Sequence, residues 1–109
     1  MAPLDNGAAP GVEVEIDERP GEIVVRLRGE LDCTNVAEVE DKLSARLDPK
    51  RSVSLVFEVA GLSFVDSSGL AAMLRAAAKA GTVVLREPSP VLREVVAATG
   101  LDQVLRCEP

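Results

Sequence analysis

Apolar positions recur with two different periods along this chain, and the switches between them mark its elements. Val12, Val14 and Ile16 alternate with Glu13, Glu15 and Asp17, which predicts a strand with one face in water. Glu18-Arg19-Pro20-Gly21 predicts a turn, because Pro-Gly fits the centre of a type II turn. Ile23 to Arg28 follows as a second strand, and the short link makes the two an antiparallel hairpin. Val36, Val39, Leu43 and Leu47 then recur at helical spacing. Thr34 or Asn35 is placed to cap that helix, with Glu38 in capping-box position after Asn35. Asp48-Pro49 is placed to stop it, since the residue before proline avoids helical geometry.

Ser52 to Val59 predicts a third strand, with Val53, Leu55, Phe57 and Val59 on one face and Val56 partly buried on the other. A second helix starts after Asp66, with Leu70, Met73, Leu74, Ala77 and Ala78 along one side and Gly81 as its stop. Thr82 to Leu85 is apolar on both faces, as a buried parallel strand requires. Ser89-Pro90 is a strong helix start, and Leu92, Val95, Val96 and Thr99 give that helix a buried side. Gly100-Leu101 fits a glycine-terminated end, and Val104 to Cys107 adds a short last strand. Helices between successive strands imply crossovers, which join parallel neighbours. The predicted fold class is therefore α/β: a single-domain mixed β-sheet, an N-terminal antiparallel hairpin followed by parallel crossovers. Residues 1–11 hold two prolines, two glycines and no periodicity. They are expected to be a disordered lead-in to a domain spanning 12–109.

Composition narrows the chemistry. Phe57 and Phe64 are the only aromatic residues, so Val, Leu, Ile and Ala must build the core. The net charge is −6, with 14 acidic against 7 basic side chains in residues 1–66 and 4 against 5 in residues 67–109. An acidic first half opposes nucleic-acid binding, which needs a basic footprint. It suits either a solvated face or a surface for a basic protein partner. No stretch approaches the roughly 20 apolar residues that span a bilayer, and no leader pattern opens the chain. No membrane association is expected, and a cytoplasmic location is the default. Histidine is absent, which removes Ser–His–Asp and Cys–His catalysis and the commonest metal ligand. Cys33 and Cys107 are far apart and read as free thiols. No catalytic residue, metal or cofactor is expected.

One stretch concentrates what polar chemistry remains. In Leu62-Ser63-Phe64-Val65-Asp66-Ser67-Ser68-Gly69-Leu70, an apolar run meets a helix start through small polar residues. Ligand sites in open α/β sheets lie beyond the carboxyl ends of strands, where this corner falls. Three readings compete. Ser67 or Ser68 is a plain helix cap, with Gly69 closing the turn. Alternatively, one serine is a nucleophile, but no histidine is present to activate it and Lys42, Lys50 and Lys79 have no evident place beside it. In the third reading, Ser67 accepts phosphate from another protein. A helix N-terminus tolerates that charge, while a partner shaped for a neutral hydroxyl does not.

This stretch closely resembles the signature of STAS domains, specifically the bacterial anti-sigma factor antagonists. Gly29-Glu30-Leu31-Asp32, Pro88-Ser89-Pro90 and Thr99-Gly100-Leu101 match the same family in order, so the resemblance covers about residues 12–107. It implies a STAS-like fold and a non-enzymatic role in transcription regulation by partner switching. The partner would be an anti-sigma factor that is also a serine kinase and itself binds ATP; docking would release a sigma factor. Phosphorylation of Ser67 would switch docking off, making this a phosphoprotein, and a serine phosphatase would restore it. Carried over by position, Asp32, Asp66, Ser67, Ser68 and Gly69 form the partner-binding set. Helix capping is an equally good role for Asp32, and Cys33 is expected to be structural or incidental. The alternative within the fold is a STAS interaction subunit of a lipid-transport or stress-signalling complex.

Overall fold

A computed structural model describes residues 11–48 and 50–109. Residues 1–10 of the expected lead-in at 1–11, and the proline of the Asp48-Pro49 stop, lie outside the described residues. The order is β1 (Val12–Arg19), β2 (Glu22–Leu31), α1 (Val36–Ser44), β3 (Ser54–Val65), α2 (Ser67–Ala77), β4 (Thr82–Arg86), α3 (Pro90–Ala98), a 3₁₀ turn (Leu101–Gln103) and β5 (Leu105–Glu108). The five strands lie side by side in sequence order. β1 and β2 pair antiparallel from Val12↔Gly29 to Arg19↔Glu22, and the other neighbours are parallel. Gly21, at φ 76°, closes the hairpin after Pro20, as a type II turn demands.

Three successive crossovers advance in one direction, so with the usual right-handed sense they carry all three helices onto one face. Ile23, Val25 and Leu27 of β2, Leu55, Phe57 and Val59 of β3, Val83 and Leu85 of β4, and Leu105 of β5 are buried there in one core. The other face alternates charge across every strand. Glu15 pairs with Arg26, Arg26 with Glu58, Glu58 with Arg86, and Arg86 with Glu108. Glu58 holds the centre, 2.7 Å from Arg26 Nε and 3.2 Å from Arg86 Nη1. Opposite charges directly across strands stabilise pairing, and they fix the register of this face as its valines alone would not.

Several local expectations need correction. β3 does not end near Val59. It continues to Val65 along β2 through two register shifts, Arg26↔Glu58 to Arg28↔Gly61 and Gly29↔Leu62 to Glu30↔Phe64. β4 accompanies it only as far as Glu58. Helix α1 stops at Ser44, and Leu47 is buried from the turn beyond it. No capping box forms at its start. Asn35 Nδ2 donates to Glu30 O at 2.8 Å and Asn35 Oδ1 accepts from Asp32 N at 3.1 Å, so that side chain staples the loop behind it. Helix α2 buries its small face, Gly69, Ala72, Met73 and Ala76, while Leu70 and Leu74 lie on its flanks and Ala78 is exposed. Small residues let the helix lie close to the sheet and to α1, where Glu40 forms a bidentate pair with Arg75 at 2.7 and 2.8 Å. Gly81 is not a left-handed cap. A Cβ there would fall 2.0 Å from Ser52 Oγ, which can rotate away, and 3.2 Å from the Val53 carbonyl oxygen, which cannot, so the close approach of this backbone favours glycine. Gly100 does end α3 at φ 76°, and Leu101 folds back onto the core as expected.

Candidate functional site

The β3 extension decides where the polar corner sits. By following β2 to its end, it places Asp66 beside the loop that leaves Leu31, and Asp66 N donates to Leu31 O at 3.2 Å. The Asp66 carboxylate then works in two directions. Oδ1 accepts from Gly69 N at 3.0 Å and caps α2; Oδ2 accepts from Cys33 N at 3.1 Å in the neighbouring loop. The aspartate therefore caps this helix, and neither serine does. This overturns the reading of Ser67 or Ser68 as the cap. Aspartate wins because it holds the N-cap position and its two oxygens reach donors on different loops, Gly69 N and Cys33 N, at once.

Ser67 is the first residue of α2 and is exposed, with no side-chain hydrogen bond among the described residues. Ser68 follows it, half-buried. Gly69 is buried against the sheet, where a Cβ would fall 2.9 Å from Leu31 Cγ and 3.0 Å from Val65 Cγ1. Asp32 lies in the adjoining loop, its Oδ1 accepting from Thr34 N at 3.0 Å and from Thr34 Oγ1 at 2.5 Å. Those bonds, the hydroxyl first, hold the Asp32 carboxyl below its ordinary value. The structure thus brings the Asp32 loop and the Asp66–Gly69 corner together through the Cys33 backbone. The Cys33 thiol is exposed.

Beside Ser67 runs a groove of about 560 Å³ between the β3 extension, the start of α2 and α3. Its walls include Leu62, Phe64, Leu70, Val91 and Val95, with Ser67, Ser89 and Asp66 at the polar margin. Phe64 is 50% exposed, Val91 72% and Val95 41%. Sequence reasoning missed this apolar surface and assigned Val95 and Thr99 to the buried side of α3. Leu92 and Val96 alone are buried there, while Val95 and Thr99 line the groove. Two adjacent i, i+4 pairs, Val91/Val95 and Leu92/Val96, were the available signal: they stand about 100° apart round the helix, and with Leu92 and Val96 taking the face toward the sheet the other pair is left at the side.

Fold and corner together define an α/β domain that presents a serine-bearing helix start next to an open apolar groove. The chain belongs to the STAS domain family, which matches residues 13–109. It is 39% identical over 83 residues to an anti-sigma F factor antagonist of Lysinibacillus sphaericus, covering 72% of this chain and 71% of that one. Among solved structures it resembles an anti-sigma factor antagonist from Mycobacterium paratuberculosis, with a TM-score of 0.74 and 26% identity over 91% of this chain and 86% of the other. It also resembles the Bacillus cell fate determinant SpoIIAA in its phosphorylated form, with a TM-score of 0.72 and 26% identity over 89% of this chain and 92% of that one. The unphosphorylated form gives 0.70 and 29%, with 89% of each chain covered. These relatives are named as anti-sigma factor antagonists, which are regulatory binding proteins and not enzymes. Among the described residues, no helix is long and apolar enough to cross a membrane.

Proposed function

We propose that this chain is an anti-sigma factor antagonist, docking through the end of the sheet that carries Asp32, Asp66, Ser67, Ser68 and Gly69. Its partner is an anti-sigma factor that is also an ATP-dependent serine kinase. That partner phosphorylates Ser67, which ends docking, and a serine phosphatase reverses the mark. The observation that carries this reading is the state of Ser67: exposed, free of side-chain hydrogen bonds among the described residues, and first in a helix already capped by Asp66. The fold does not consume its hydroxyl.

Energetics favour a switch over a disruption. A phosphate adds about −1.5 to −2 charges, which the positive end of the α2 dipole accommodates. The fold therefore survives modification. A partner packed over the corner and the groove would instead meet charge and bulk where it had a neutral hydroxyl, and would lose affinity. The exposed Phe64, Val91 and Val95 supply apolar area for such a contact.

The test uses the full chain, Ser67→Ala and Ser67→Glu as baits in native lysate. An anti-sigma factor with ATP-dependent kinase activity, held by the first two and lost by the third, supports the reading. Retention of transporter or stress-complex subunits by all three would overturn it.

A further inference from the structure

β4 stops pairing with β3 at Glu58↔Arg86, while β3 runs on to Val65 beside β2 alone. Residues 59–65 therefore form a sheet edge within the molecule, with β2 on one side and no strand on the other among the described residues. The backbone direction is fixed at the end of this stretch, where Asp66 N donates to Leu31 O of β2. Successive N–H groups along a strand point to opposite sides, so the Val65 N–H points away from β2. The groove follows this edge. Leu62, Ser63, Phe64 and Val65 all line it. Successive side chains of a strand belong to opposite faces, so four consecutive residues meet one groove only where it runs along the strand's edge. Proteins commonly blunt a free edge with charge or proline, and residues 59–65 contain neither.

We propose that an extended, uncharged segment of the anti-sigma factor adds to this edge as a strand, in the line that β4 vacates, with its apolar side chains against Phe64, Val91 and Val95. Unpaired backbone groups beside apolar walls are met best by another backbone: main-chain bonds give affinity, and the walls select alternate side chains. Charge sets the character of the segment. Asp66 is the only charged residue lining the groove, and its carboxylate is committed to Gly69 and Cys33. A charged side chain entering there would lose water without gaining a partner. Geometry disfavours a second copy of this chain as the occupant. α3 forms the opposite wall, so the edge is recessed, and the same edge of another copy, behind its own α3, could not be brought alongside. Ser67 borders the same groove, so a phosphate there would stand against the docked segment. This inference rests on the antagonist reading of the previous subsection.

The experiment follows amide exchange in the full chain by NMR, free and saturated with the purified anti-sigma factor, and measures the affinities of the unsubstituted chain, Val91→Asp and Val91→Leu. The Val65 amide should exchange readily in the free chain and at least about a hundredfold more slowly in the complex, as a hydrogen-bonded strand amide does. Val91 is 72% exposed in the first turn of α3, so the fold tolerates aspartate there. Val91→Asp should bind at least about tenfold more weakly at an unchanged melting temperature, because it sets a charge on a neutral wall, while Val91→Leu should bind within about twofold of the unsubstituted chain. A Val65 amide that exchanges as fast in the complex as in the free chain overturns the proposal, even where Val91→Asp binds weakly. Slowing that appears in the free chain as its concentration rises also overturns it, since a second copy would then be the occupant. If phosphorylation of Ser67 still weakens docking while the Val65 amide stays unprotected, this inference falls alone; if the unsubstituted chain binds no anti-sigma factor, the antagonist reading falls with it.

Discussion

Asp66 and Cys33 are 33 positions apart in sequence, yet the Asp66 carboxylate accepts the Cys33 backbone N–H at 3.1 Å. The same carboxylate caps α2 through Gly69 N at 3.0 Å. One side chain therefore sets the distance between the two loops at this end of the sheet, and the Ser67 side chain is left without a hydrogen bond among the described residues because its neighbour caps the helix. Asp66→Ala is expected to cost about 1–2 kcal/mol, the range of a lost cap, and to loosen the Asp32 loop. Asp66→Asn keeps one acceptor and should fall between the two. Urea unfolding checks the stability, and amide exchange at Cys33 and Gly69 checks the loosening.

Ser67 should be nearly silent in stability. Ser67→Ala is expected to lie within about 0.5 kcal/mol of the parent, as exposed substitutions away from special features do. Ser67→Glu adds a negative charge at a helix start, which is favourable, against repulsion from Asp66; it should stay within about 1 kcal/mol. A much larger loss for Ser67→Ala in urea unfolding would mean that its hydroxyl holds the corner together.

Gly69 sets two effects of opposite sign against each other. Alanine is better than glycine in a helix by about 1 kcal/mol. Here its Cβ would lie 2.9 Å from Leu31 Cγ and 3.0 Å from Val65 Cγ1. Overpacking of that kind costs about 1–3 kcal/mol, so Gly69→Ala should be net destabilising. Equilibrium unfolding decides the sign. A gain would show that Leu31 and Val65 move aside cheaply.

The Glu40–Arg75 pair gives a pH dependence of definite sign. The Arg75 hydrogen bonds hold the Glu40 carboxyl below its ordinary value of 4.5. A carboxyl depressed in the folded state adds stability well above its unfolded value and loses it as pH falls through the folded one. The stability advantage of the parent over Arg75→Gln should thus be full near neutrality and shrink progressively below pH 4.5. Arg75 is exposed and Glu40 only half-buried, so solvent screens the pair; the advantage is small and should fall further in high salt. Thermal melts from pH 7 to pH 3 measure it.

The order of elements along the chain, the strand senses and the helix positions were legible because period 2 and period 3.6 alternate cleanly along the chain, and because Pro20-Gly21 and Ser89-Pro90 are strong local signals; the side-by-side order of the strands came only with the structure. What was hidden depended on pairing across the sheet. Ala60-Gly61 reads as the end of a strand, yet β2 continues alongside and recruits residues 60–65 through the register shifts. The position of Ser67 in the corner was visible, but not the competition that makes Asp66 the cap, because the second donor comes from Cys33 in another loop. The groove escaped for a similar reason. Its floor exists because β4 pairs with β3 only through Glu58, a length set by the register of two strands.

The most direct test of the central claim is the affinity of the purified anti-sigma factor for three forms of the chain. These are the unmodified chain, the chain after incubation with that factor and ATP, and Ser67→Ala treated in the same way. Phosphate is expected on Ser67 alone by mass spectrometry, with at least about tenfold weaker binding of the phosphorylated chain at an unchanged melting temperature, and unaltered binding of Ser67→Ala. Phosphate incorporated equally into Ser67→Ala, or a phosphorylated chain that binds as tightly as the unmodified one, would contradict it.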